Sequence, residues 1–280
     1  MASDYGGEHA NAVWETFTFL VVDMAEGANW TFLQNQFRAR VMSNRRRMAY
    51  KNLNDSVRRR ALDSFLSSAN LLPGLLVTFA IAKSVKCLFN NEGKVDPKAA
   101  ELEQLHDLSP GVAEKLLRIT HLLSLLLSGF SAAGQDVLWV TDEDSIVANS
   151  HRHIQLVEVL ANISSNCLPY AMGHLRVATA KQDSGDLSIE DLLAIADLAA
   201  GGTSAALQLM CGTGRAPLTG FWLPRPATMN FKTRAVLDWF SDNSQSLQRF
   251  VVLIDETPGT KHLRATHLRF HGSSDTESRQ

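Results

Sequence analysis

Residues 181–202 read KQDSGDLSIEDLLAIADLAAGG and lead into the longest predicted helix of the chain. Polar residues come first and small or apolar residues follow, which predicts a buried helix over Leu187–Met210 with Ser188 as its cap. Asp197 lies inside this helix, with apolar or small residues at every helical neighbour. Burying an isolated carboxylate is costly unless a cation, a metal ion or hydrogen bonds compensate it. Asp197 therefore needs a partner, either a metal ion or a structural contact.

The segments before this helix alternate between strand and helix patterns. Buried strands are predicted where β-branched and aromatic residues form short runs, and helices where apolar residues recur at helical spacing. The predicted strands are Glu15–Asp23, taken as the first strand, Leu75–Ala82, Asp136–Asp142 and Gly173–Ala180, and the predicted helices are Ser56–Leu71, Leu116–Ala133 and Ser145–Asn166. The segments FRARVM and RRMAYKNL are interpreted as short strands that extend a meander with the first strand. This order predicts an α/β fold with a mixed sheet flanked by helices.

One domain is predicted over residues 10–271, because 280 residues with 45% hydrophobic content can bury a single large core. It is expected to carry a helical insertion at about residues 90–133 and a C-terminal extension, at about 213–271, of one helix and a pair of strands. Residues 272–280 are expected to be a disordered tail.

The composition favours a cytoplasmic protein without a membrane segment. Three separated cysteines and the lack of a secretory signal agree with a reducing compartment. The most hydrophobic stretch contains Arg118 and His121, which argues against a spanning helix. The net charge of −2 excludes a globally basic protein, so contact with nucleic acid would require a local patch.

Two predicted strands end at carboxylates, Asp23 and Asp142. Each is also explained by an ordinary loop entry, and Asp142 or Asp144 could cap the following helix. Together with Asp197, however, they offer the oxygen ligands that Mg²⁺ or Mn²⁺ prefers. Two such ions can activate water and stabilise the leaving oxygen in phosphodiester cleavage.

A basic segment lies between residues 38 and 60, where nine Lys or Arg residues accompany one acid, Asp55. Arginine clusters bind phosphates, and the interleaved Phe37 and Tyr50 could stack on bases. The alternative is a solvated surface. The predicted nucleic-acid-binding residues are Arg45, Arg46, Arg47, Lys51, Arg58 and Arg59.

Three motifs resemble the bacterial family called domain of unknown function 3800: FLVVD ending at Asp23, VLWVTDED around Asp142, and the stretch 181–202 with Asp197. The resemblance implies an RNase H-like fold with one acid on the first strand, one on a central strand and one in a late helix. In this family Glu-Ser-Gly typically follows the first acid, whereas residues 24–27 here read Met-Ala-Glu-Gly. A fourth carboxylate is unassigned, with Asp55, Asp63, Asp144 and Asp183 as candidates.

These features together predict a nuclease, a hydrolase of phosphodiester bonds that depends on Mg²⁺ or Mn²⁺. Its catalytic residues would be Asp23, Asp142 and Asp197, with Asp144 as a further metal ligand. The expected partner is DNA or RNA, without a membrane, and a homo-oligomer is a further possibility. The alternative is a non-catalytic RNase H-like module that binds nucleic acid or acts as a scaffold, in which the acids play structural parts.

Overall fold

The computed structural model describes residues 1–88, 95–142, 145–183, 185–212, 229–242, 244–257, 259–260 and 262–270, apart from the side chains of Ala99, Cys211 and Gly212. These residues form seven strands and six α-helices. The strands are β1 (Ala2–Gly6), β2 (Trp14–Val22), β3 (Gly74–Ala82), β4 (Val137–Thr141), β5 (Leu175–Thr179), β6 (Leu247–Glu256) and β7 (Leu263–Leu268). The helices are α1 (Ala28–Arg40), α2 (Ser56–Ala69), α3 (Pro110–Phe130), α4 (Ser150–Cys167), α5 (Ser188–Gly212) and α6 (Phe231–Ser241). The chain divides into two compact units, one made of Met1–Ser84 and Gln182–Gln280, the other of Val85–Lys181.

The first unit contains a mixed sheet in the order β1-β2-β3-β6-β7. Strands β1, β2 and β3 are antiparallel neighbours, β3 and β6 are parallel, and β6 and β7 are antiparallel. Phe17 of β2 lies opposite Tyr5 on one side and Phe79 on the other. Most residues of β2 and β3 are buried on both faces, as expected of central strands.

Helix α5 packs on β1 and β2 and also contacts α6. Within the described part of the chain, Ser188–Met210 is the one segment long and apolar enough to cross a membrane, and 61% of its most apolar stretch is buried. A buried apolar helix that packs on strands is the usual core helix of a globular unit.

The second unit has its own core. Helices α3 and α4 pack together, and the hydroxyl groups of Ser124 and Ser164 are hydrogen-bonded between them at 2.9 Å. Strands β4 and β5 are parallel neighbours. A buried ion pair within α3 joins Arg118 Nε to Glu114 at 2.7 Å, and Arg118 also donates to the Val85 carbonyl oxygen.

The predicted α/β class is confirmed, with a mixed sheet flanked by helices and a C-terminal extension that consists of α6, β6 and β7. This arrangement is consistent with the predicted RNase H-like fold. The predicted tail, residues 272–280, lies outside the described residues.

Two predictions about the N-terminal part were wrong. The first strand is β1, with the sequence ASDYG, and the predicted first strand is β2. Neither FRARVM nor RRMAYKNL forms a strand, because the former ends α1 and the latter forms an extended segment that leads into a short 3-10 turn, Tyr50–Asn52. The buried face of α1 includes the polar residues Gln34 and Arg38, which obscures its helical periodicity.

Candidate nucleic-acid interface

Asp55 organises the start of α2. Its Oδ1 accepts hydrogen bonds from the backbone N–H groups of Val57, at 2.9 Å, and Arg58, at 3.1 Å, so Asp55 is the helix cap. Its Oδ2 accepts from Arg46 Nη1 at 2.9 Å. The backbone hydrogen bonds from Arg58 and Val57, followed by the charges of Arg46 and Arg58, lower the pKa of Asp55. Asp55 is therefore a structural acid, which removes it from the candidates for a fourth metal ligand.

Arg38 is buried and holds the loop before α2. Its Nε donates to Asp191 Oδ2 at 2.8 Å, a second guanidinium nitrogen donates to Asp191 Oδ1, and Nη1 donates to the carbonyl oxygen of Arg46 at 2.7 Å. Gln34 Nε2 donates to the same carboxylate at 2.8 Å. Burial raises the pKa of Asp191, and the contact with Arg38 opposes this rise.

Two further arginines fix the backbone of the same loop. Arg45 adopts a left-handed conformation with φ of 57°, and its guanidinium donates to the carbonyl oxygen of Gly185. Arg58 Nε donates to the carbonyl oxygen of Arg47 at 2.8 Å. Arg47 and Arg58 are half-buried, whereas Arg45 is exposed. The side chain of Arg58 and the backbone of Arg47 are therefore committed to internal contacts, whereas the exposed guanidinium of Arg45 keeps further N–H groups for a ligand.

Cations alternate with aromatic rings beside this loop, and of these cations Arg59 and Lys51 are exposed while Lys232 is half-buried. The Arg59 guanidinium carbon lies 4.3 Å from the ring centroid of Phe231, a ring that is 40% exposed. Lys232 Nζ lies 4.4 Å from the ring centroid of Tyr50. Lys51, next to Tyr50 in the chain, is exposed. We define the basic surface as Arg45, Arg46, Lys51, Arg59 and Lys232, together with Tyr50 and Phe231.

Phe37 was predicted to stack on bases, and this was wrong. Its side chain is 5% exposed and packs against Phe65, with ring centroids 5.5 Å apart. Phe231 takes its place at the surface. The sequence did not indicate this role, since Phe231 lies far along the chain from the basic segment.

The predicted metal ligands have different surroundings. Asp23 is exposed, and its Oδ1 accepts from the N–H of Ala25 at 2.9 Å. Asp197 is half-buried, and its Oδ2 accepts from the N–H of Tyr50 at 2.6 Å. Asp142 directly follows β4 in the second unit, and Asp144 lies outside the described residues. In the part of the chain that the structure describes, no group of three or more His, Cys, Asp or Glu side chains could hold a metal ion.

The caps of helices α4 and α5 show the structural roles of the nearby acids. Helix α4 is capped by the side chain of Asn149, which accepts from the N–H of Arg152, and not by Asp142. Asp183, another candidate for a fourth metal ligand, instead accepts hydrogen bonds from backbone N–H groups around the start of α5, those of Gly185, Leu187, Ile189 and Glu190. Asp183 therefore takes the capping role predicted for Ser188.

Asp4 is an acid that the sequence analysis missed. It lies within β1 and is 8% exposed. Gly6 follows two residues later and hence lies on the same face of the strand. A Cβ atom added at Gly6 would lie 3.5 Å from the carbonyl oxygen of Ala200 in α5. Asp4 therefore faces the layer that holds α5, in which Asp197 precedes Ala200 by three residues. No sequence signal identified it, because ASDYG is short and polar.

A pocket of about 680 Å³ adjoins Tyr50 within the first unit. Its walls are Gly6, Gly7, His9, Tyr50, Gly201, Ser204, Ala205, Gln208, Leu209, Asn230 and Thr233. The Tyr50 hydroxyl is hydrogen-bonded to Thr233 Oγ1 at 2.7 Å. Burial is the main cause of a raised pKa of Tyr50, so this hydroxyl stays protonated at neutral pH.

Comparison with protein-family models, with curated proteins and with solved structures gave no match.

Proposed function

We propose that the protein binds nucleic acid through the basic surface. The observation that carries this proposal is the alternation of cations and aromatic rings, because cations attract phosphates and rings stack on bases. The proposed partner is DNA or RNA, as expected from the sequence. Of the two functions predicted there, this one corresponds to the module that binds nucleic acid without cleaving it.

The contacts make the basic surface continuous. Arg46 is bonded to Asp55, and the N–H of Arg59 donates to the carbonyl oxygen of Asp55 at 2.9 Å. Arg59 in turn lies on Phe231, and the adjacent Lys232 lies on Tyr50. The surface therefore combines parts of the loop, α2 and α6. Its cations can act locally even though the whole chain has a net charge of −2.

The test is binding of fluorescently labelled single-stranded DNA, single-stranded RNA and duplex DNA, measured by polarisation at several salt concentrations. The variant combines Arg46→Ala, Lys51→Ala and Arg59→Ala. Each lost phosphate contact on a single strand lowers the slope of log affinity against log salt by roughly 0.7. We expect weaker binding and a slope that falls by up to about 2.

The matched control removes the same charge from exposed positions of the second unit, with Lys86→Ala, Lys98→Ala and Arg176→Ala. It should bind as the wild type does. If both triple variants bind with the wild-type affinity and salt slope, the basic surface is only a solvated face. Circular dichroism of each variant shows whether folding is intact.

Metal-dependent cleavage of the bound strand is the second candidate function. The observation that favours it is the position of Asp4, a buried acid that faces the layer containing α5 and Asp197. In this proposal Asp4, in place of Asp23, is the acid of the first strand. Asp197 keeps its predicted role as a ligand of Mg²⁺ or Mn²⁺, which would activate water.

Calorimetric titration of Mn²⁺ tests this second function and separates Asp4 from Asp23. Asp4→Asn and Asp197→Asn should lose the heat of binding, whereas Asp23→Asn and the exposed control Asp63→Asn should keep it. A nuclease assay with and without EDTA accompanies the titration. Absence of Mn²⁺ binding by the wild type would exclude this function without affecting the proposal of nucleic-acid binding.

A further inference from the structure

Small or apolar residues form much of the wall of the pocket beside Tyr50, and polar side chains form the rest. Gly6 and Gly7 form one side, and Gly201, Ala205 and Leu209 of α5 form another. Among the residues that the structure describes, none that lines the pocket is Asp, Glu, Lys or Arg. Such walls favour an uncharged, flat occupant, since a charged one would lose its hydration without a counter-ion. The volume of about 680 Å³ lies within the range of small-molecule sites, which is about 300 to 1,000 Å³.

Three polar groups of the pocket keep hydrogen-bonding capacity. Gln208 Oε1 accepts from the N–H of Val13 at 3.2 Å, and Asn230 Oδ1 accepts from the N–H and the hydroxyl of Thr233, both at 3.0 Å. These contacts orient the two side chains and use only their oxygens. Within the described residues, the two amide nitrogens and the Ser204 hydroxyl make no hydrogen bond. They can therefore bind carbonyl oxygens or ring nitrogens of a ligand.

Tyr50 belongs both to this pocket and to the basic surface. Lys232 lies on its ring, and its hydroxyl is fixed by Thr233. A phosphate held by Lys51 or Lys232 would therefore lie at the pocket's margin. Gly201 brings the ring against α5, because a Cβ atom there would lie 2.5 Å from the ring carbons of Tyr50.

We propose that this pocket receives one unstacked nucleobase of a strand whose phosphates lie on the basic surface. The inference rests on the proposed function and specifies the ligand class: an uncharged aromatic base attached to a phosphate backbone. The base contributes a flat ring with carbonyl and ring-nitrogen acceptors, and Ser204, Gln208 and Asn230 supply donors. Stacking and hydrogen bonds then add to the attraction between the cations and the phosphates.

The experiment compares two strands of equal length and charge, oligothymidylate and the same backbone with abasic sugars, by polarisation. The wild type should bind oligothymidylate about tenfold more tightly, which is within the range of one stacked base. Ala205→Phe fills the pocket and should abolish this preference, while the affinity for the abasic strand stays unchanged. Ala161→Phe, at an exposed position of α4, is the control and should keep the preference.

The outcomes separate this inference from the proposed function. Equal wild-type affinity for the two strands, or an Ala205→Phe variant that keeps the preference, would overturn the base pocket and leave nucleic-acid binding standing. Failure to bind either strand, together with no binding of single-stranded RNA or duplex DNA, would overturn the proposed function, and thymidine monophosphate is then titrated by calorimetry. Binding of that nucleotide by the wild type but not by Ala205→Phe would support the pocket as a site for a free nucleotide. No binding would overturn it.

Discussion

Arg38 is a buried cation whose partners are all internal. It donates to the Asp191 carboxylate and to the carbonyl oxygen of Arg46, so it links α1, α5 and the loop that carries the basic surface. Its side chain is 9% exposed and that of Asp191 is 0% exposed. Arg38, the first residue of the basic segment, therefore holds the loop of the basic surface in place and does not contact a ligand.

Replacing Arg38 with Met should lower the free energy of unfolding by about 3–5 kcal/mol, because Asp191 would remain buried without its cation. Burial already raises the pKa of Asp191, and removal of Arg38 raises it further. The folded variant then binds a proton more tightly than the unfolded chain does. Its stability loss is therefore smallest below about pH 4 and grows as the pH rises through the raised pKa.

Urea unfolding at several pH values measures this effect. Arg46→Met is the control, because its ion pair with Asp55 is exposed and should contribute little. An equal loss in the free energy of unfolding for the two variants would show that Asp191 forms another ion pair or hydrogen bond when Arg38 is absent.

Gly201→Ala should destabilise the protein by about 1–3 kcal/mol, because the added Cβ atom would meet the Tyr50 ring and force it away. The bond from the N–H of Tyr50 to Asp197 would be strained as well. Gly129→Ala near the end of α3 is the matched control, since nothing lies within 4 Å of its Cβ position. Gly129→Ala should stabilise the protein by up to about 1 kcal/mol. Thermal melts should therefore show a lower melting temperature for Gly201→Ala and a higher one for Gly129→Ala.

At the scale of elements, periodicity predicted the helices and strands whose buried faces are apolar. β3 and α6 are examples, since apolar residues dominate their buried positions. α1 was missed because Gln34 and Arg38 occupy its buried face, and their burial depends on Asp191, more than 150 positions away. β1 was missed because five residues give too little pattern, and only pairing with β2 makes them a strand.

Asp55, the cap of α2, should weaken the binding of nucleic acid because its negative charge pairs with neighbouring arginines. Asp55→Asn keeps a good helix cap but removes the negative charge that pairs with Arg46 and Arg58. We expect tighter binding of single-stranded DNA and a salt slope that is steeper by up to about 0.7. Asp63→Asn, an exposed change of the same charge in the same helix, is the control. If the two variants have the same affinity, the arginines beside Asp55 are not at the interface.

At the scale of the whole molecule, the two units should respond separately to damage in their cores. Leu123→Ala in α3 and Leu237→Ala in α6 each truncate a buried side chain and should cost about 2–5 kcal/mol within its own unit. Hydrogen exchange followed by mass spectrometry should show faster exchange mainly in residues 85–181 for the first variant and in α5 and α6 for the second. Equal acceleration throughout the chain would show one cooperative unit.

The candidate site was predictable only where it is continuous in sequence. Arg45, Arg46, Lys51 and Arg59 lie within one short segment, and charge density alone identified them. Phe231 joins them through a contact that spans more than 170 positions, so no local pattern could reveal it.

The backbone conformation of Arg45 determines which residues selection would favour at this position. A left-handed φ of 57° is a conformation that glycine or asparagine adopts more readily than arginine, by about 1 kcal/mol or more. Selection for folding alone, in a library randomised at this codon, should therefore enrich glycine and asparagine. Selection for retention of nucleic acid should enrich arginine instead. The residue that is enriched at position 45 would therefore show whether folding or nucleic-acid binding determines the choice of arginine.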